Sequence, residues 1–75
     1  MTASSDRAEI SSLRAQVAEL SQRVTAVAER YDDTADSAIA ADLFAAERAL
    51  LAAVRTLERA EGLLADSGSR EPLRP

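Results

Sequence analysis

The sequence predicts an all-α fold, a two-helix antiparallel coiled-coil hairpin, and three observations lead there. Apolar residues recur at steps of three and four over two long segments, the period of a helix with one narrow apolar stripe. A short polar run without that period divides the segments. The phase of the stripe also changes across the run, so that one unbroken helix would carry Arg48 and Arg55 in its seam in place of leucines.

The first helix is expected over about residues 6–31, after a disordered stretch at 1–5. Asp6 with Glu9 three residues on has the spacing of a capping box, in which each side chain bonds a backbone N–H left free in the first turn. From there Ile10, Leu13, Val17, Leu20, Val24, Val27 and Tyr31 form the stripe. The remaining positions are small, polar or charged.

A turn is expected near residues 32–35. Asp32, Asp33, Thr34, Asp36 and Ser37 have short side chains that compete for backbone groups and favour caps and turns. Asp33 and Asp36 fit the N-cap and third position of the helix that follows.

The second helix is expected over about residues 36–66, with Gly68 as its stop and a disordered tail at 67–75. Its stripe is a heptad repeat, Leu43, Leu50, Leu57 and Leu64, alternating with Ile39, Ala46, Ala53 and Ala60. Folding the chain back pairs Tyr31 with Ile39, Val27 with Leu43, Val24 with Ala46, Leu20 with Leu50, Val17 with Ala53, Leu13 with Leu57 and Ile10 with Ala60. The residue numbers of every pair add to 70, which puts the mirror point at Ala35, inside the polar run. Large residues face small ones in alternate layers, a pattern that fills space when helices approach closely. On this reading the leucines are committed inside the hairpin.

Such a hairpin needs help. Below about 70–80 residues a single core seldom yields more than about 3–5 kcal/mol, and with no Cys or His the chain has neither disulfides nor an ordinary zinc site. Self-association is the remaining route, as a homodimer forming a four-helix bundle, or else docking on a helical partner. Phe44 and Leu51 lie about 100–120° round from the leucine line, and Val54 bridges the two. Phe44, Leu51 and Val54 are therefore the candidate partner-binding residues, rimmed by Glu47 and Glu58.

Composition bears on the other function classes. No segment approaches the apolar length of a membrane span, and the N-terminus lacks a basic stretch followed by an apolar run, so a cytoplasmic protein is expected. The net charge is −4, with nine basic residues that are all Arg, a poor match to the basic field that nucleic acid or an anionic membrane attracts. The alternative reading, a small nucleic-acid-associated regulator, would use Arg48, Arg55 and Arg59 on the back of the second helix. No aromatic residue interleaves with them for base stacking. Glu29, Asp32, Asp33 and Asp36 lack the spacing of a calcium loop, and neither metal nor cofactor is expected. The absence of His, Cys, Lys and a Gly-rich phosphate loop argues for a non-enzymatic interaction or scaffold module.

The run from Tyr31-Asp32-Asp33 to Ala41-Asp42-Leu43-Phe44-Ala45-Ala46-Glu47-Arg48, with the heptads that flank it, resembles short helical-hairpin proteins of actinobacteria. The resemblance implies the fold. It implies no activity and transfers no functional residue.

Overall fold

The computed structural model describes the backbone of residues 3–70 and the side chains of residues 3–66. Two helices, α1 (Ala3–Tyr31) and α2 (Ser37–Arg70), pack against each other as a hairpin, with no strand among the described residues. The result is a rod one layer thick, with extents of 67 × 14 × 12 Å. The predicted all-α hairpin is the observed one.

The helix ends differ from the sequence expectation. α1 begins at Ala3, so Asp6 sits within the first turn and not at the N-cap. There its carboxylate suits the positive end of the helix dipole, as Arg30 suits the negative end. α2 continues through Gly68 to Arg70, past the expected stop near Asp66. Glycine costs a helix about 1 kcal/mol without ending it. The expected disorder at residues 1–2 and 71–75 lies outside the described residues.

The turn is built by Thr34 more than by the aspartates. Asp33 takes φ 61°, the left-handed conformation that closes many helices, and so it does not serve as the N-cap of α2. Thr34 Oγ1 donates to the Tyr31 carbonyl and accepts from the Asp36 N–H. The Thr34 carbonyl then accepts from the Ser37 N–H at 3.2 Å, and the Asp36 carbonyl from the Ile39 N–H at 2.9 Å. One hydroxyl thus ties the last turn of α1 to the first of α2.

The helices meet along a line that the leucine stripe does not centre on. Among the described residues the three buried ones are Ser21, Ala28 and Ala40. With the half-buried Arg14, Glu47, Val54 and Glu61 they fall at heptad intervals, 14, 21 and 28 on α1 and 40, 47, 54 and 61 on α2. Small side chains stand at the closest approach. Ser21 satisfies its hydroxyl locally, donating to the Ala18 carbonyl at 3.0 Å, so a polar residue there leaves no unpaired group.

This corrects the seam. Leu43, Leu50, Leu57 and Leu64 are half-buried, not enclosed, while Leu13, Leu20, Ile39, Ala46 and Ala53 are exposed. No large side chain is fully buried anywhere among the described residues. The mirror pairing holds near the turn, where Val27 and Leu43 line one groove. At the far end Arg14 bonds Glu61 and lies 3.9 Å from Glu58, both beyond position 56, its mirror.

Candidate functional site: an apolar flank

The positions of the inner line divide the remaining surface into two flanks. Residues that precede the inner positions project to one side: Leu13, Leu20 and Val27 on α1, and Ile39, Ala46, Ala53 and Ala60 on α2. Because the helices run antiparallel, both sets share the same side of the rod. The leucines 43, 50, 57 and 64 and the residues Ile10, Val17 and Val24 lie between them, turned partly toward that side. At 100° per residue the whole stripe is centred roughly a quarter turn from the inner line.

Exposure decides which flank matters. Among the described residues five large apolar side chains are exposed: Leu13 at 44%, Leu20 at 45%, Ile39 at 45%, Leu63 at 67% and Leu51 at 37%. Leu13, Leu20 and Ile39 belong to this flank, whereas Leu63, two residues after Glu61, projects toward the outer side of α2. Such clustering differs from the scattered exposure that any soluble surface shows. Leu20, Val24 and Val27 of α1 and Leu43 of α2 line an open groove along it, with Arg23 at the rim.

The other flank carries Ser11, Ala18 and Thr25 on α1 and Phe44, Leu51 and Glu58 on α2. Of the three residues that the sequence offered for partner binding, Val54 stands on the inner line and is half-buried, Phe44 is half-buried beside it, and Leu51 is exposed. Glu47, expected at their rim, is half-buried on the inner line. Phe44 shares its flank with small side chains of α1, which leave room for its ring to lie over the hairpin. The structure therefore brings Phe44 and Val54 into the hairpin's own packing and leaves Leu51 as the outward residue of the three.

No protein-family model, curated protein or solved structure matches this chain. The surface itself must carry the assignment. Arg48, Arg55 and Arg59 are all exposed, the first two on the flank of Phe44 and Leu51 and Arg59 on the outer side of α2. The acidic residues Glu29, Asp32, Asp33 and Asp36 are exposed around the turn, and no group of three or more metal-ligating side chains converges among the described residues. No described helix is long and apolar enough to cross a membrane.

One polar contact fixes the end of the rod opposite the turn. The Arg14 guanidinium, a third exposed, donates to the Glu61 carboxylate, with Glu58 close by. That hydrogen bond and the charge of Glu61 raise the Arg14 pKa above its ordinary value, against an opposing effect of burial and with a lesser contribution from the charge of Glu58. Arg14 remains a cation at any pH the protein meets, so the contact acts as a register pin and not as a switch.

The sequence held the signal for this flank. The stripe was legible, and what periodicity alone does not give is the direction in which it points. The small residues at 21, 28 and 40 were the missing clue: a line of small side chains at heptad spacing marks where two backbones approach, and the large residues then lie beside that line.

Proposed function

We propose that this chain is a cytoplasmic, non-enzymatic interaction module that works by burying the flank of Leu13, Leu20, Val27 and Ile39 against helices of a partner. The observation that carries the reading is the grouping of Leu13, Leu20 and Ile39, three of the five large apolar side chains exposed among the described residues, on that one side. A thin hairpin without a fully buried large side chain gains most of its stability by covering such a face. The shoulder of Phe44, Leu51 and Val54 then serves the hairpin's internal packing more than its partner.

Photo-crosslinking tests this directly. A crosslinking residue placed at Leu20 yields a protein adduct in cells that make the chain, whereas the same residue at Arg55, on the opposite flank, yields none or far less. Adducts at Leu51 without adducts at Leu20 would return the binding surface to the Phe44 shoulder, and nucleic-acid adducts at Arg55 would favour the arginine face.

A further inference from the structure

Building on the flank just described, we infer that its occupant is a second copy of this chain, packed so that the two turns lie at the same end and α1 of each copy covers α2 of the other. Two arrangements bring the flanks of two rods together with twofold symmetry. With turns at opposite ends, α1 faces α1 and α2 faces α2, which sets leucine against leucine and alanine against alanine. With turns at the same end, α1 faces the second copy's α2, which sets the leucines of α1 against alanines.

The mirror register makes the fit specific. Leu20 falls at the level of position 50, so it projects between Ala46 and Ala53 of the second copy. Leu13, at the level of 57, projects between Ala53 and Ala60, and Val27, at the level of 43, between Ile39 and Ala46. Each bulky side chain on α1 enters a gap flanked by exposed alanine on the facing helix, which is knobs-into-holes packing. Charge agrees with volume. Arg23 and Arg30 border the flank on the α1 side and are exposed, and the exposed Asp42 on the α2 side of the second copy falls between them.

The direction of the stripe points the same way. In an isolated helix pair the apolar stripes face each other. In a four-helix bundle they face the bundle axis, rotated from the line joining the two helices of a hairpin. Here too the stripe is turned off that line, toward the flank.

Sedimentation equilibrium of the whole chain tests the occupant, and a single spin label at Ala35→Cys tests the arrangement, since the chain has no other cysteine. The expected result is a dimer in which the two labels lie within about 35 Å, set by interaxial spacings of about 8–10 Å and the label arms. Opposite ends would separate them by at least the length of α1, about 44 Å at 1.5 Å per residue. Ala53→Arg, which alters an exposed residue and preserves helix propensity, should weaken the dimer at least about tenfold. Ala52→Arg, on the outer side, should leave it unchanged. Circular dichroism at a concentration where each variant is monomeric confirms that helix is retained.

A monomer at every concentration, a long label distance, or equal effects of the two arginines would each overturn the inference. A monomeric chain that still crosslinks to another protein at Leu20 would overturn the second copy while leaving the interaction module standing.

Discussion

Leu20 and Leu51 offer a matched pair. Both are leucines on helices, exposed by 45% and 37% in the hairpin, so replacing either by serine removes a similar amount of packing within one chain. They differ in flank. Full burial of a leucine is worth about 1.5–3 kcal/mol, and Leu20 has about half of that still to gain. Covering the flank in a symmetric dimer buries two copies of it, for about 1.5–3 kcal/mol in total, which is about ten- to hundredfold in Kd. Leu20→Ser should therefore raise the dissociation constant by that factor, and Leu51→Ser should leave it nearly unchanged. Sedimentation velocity over a dilution series measures this. Thermal melts at two concentrations roughly a hundredfold apart provide a second reading, because a dimer's Tm rises with concentration by mass action. If Leu51→Ser weakens association as much as Leu20→Ser, the flank assignment fails.

Four further outcomes follow from the hairpin itself, each read as a change in Tm at one fixed concentration. Asp33 holds φ 61°, so Asp33→Val should cost about 1–3 kcal/mol because a β-branched residue is strained there, whereas Asp33→Gly should be neutral or slightly stabilising. Gly62 lies within α2 with open space where a Cβ would stand, and Gly62→Ala should add about 0.5–1 kcal/mol, a rise of a few degrees. Ala28 is buried at the closest approach of the helices, so Ala28→Leu should cost about 1–3 kcal/mol through overpacking. Arg14→Glu should lower Tm by setting three carboxylates together at the end opposite the turn, and Arg14→Glu combined with Glu61→Arg should recover most of the loss.

Much of this was legible before any coordinates. Two stripes with different phase, a polar run between them and a mirror point at Ala35 specify two helices folded back on each other. The ends were less legible, because the signals that set them compete. Asp33 and Thr34 are both capping residues separated by one position, and which of them caps depends on which adopts the left-handed conformation that ends α1. Asp33 does, since aspartate tolerates φ above zero better than β-branched threonine. That leaves the Thr34 hydroxyl to serve Asp36. Gly68 likewise is a stop only where it takes up the left-handed conformation, and α2 runs through it.

The proposed binding surface was harder to read for a physical reason. A heptad pattern states that a helix has an apolar side; it does not state whether one neighbour or two share it. In a two-helix coiled coil the stripe and the line of contact coincide, and the leucines at 43, 50, 57 and 64 would be enclosed. Here the contact line is occupied by Arg14, Ser21 and Ala28 against Ala40, Glu47, Val54 and Glu61, and the stripe is turned aside from it. Small residues at the line let the backbones approach, which brings Leu13, Leu20 and Val27 alongside the leucines of α2 as one broad face. Had the hairpin been built to stand alone, large residues at 21 and 28 would have filled the space between the helices and the leucines could have closed over them. The sequence instead places serine and alanine at 21, 28 and 40, the three buried positions among the described residues, and leucines beside that line, a distribution that suits the proposed packing of the apolar side against another pair of helices.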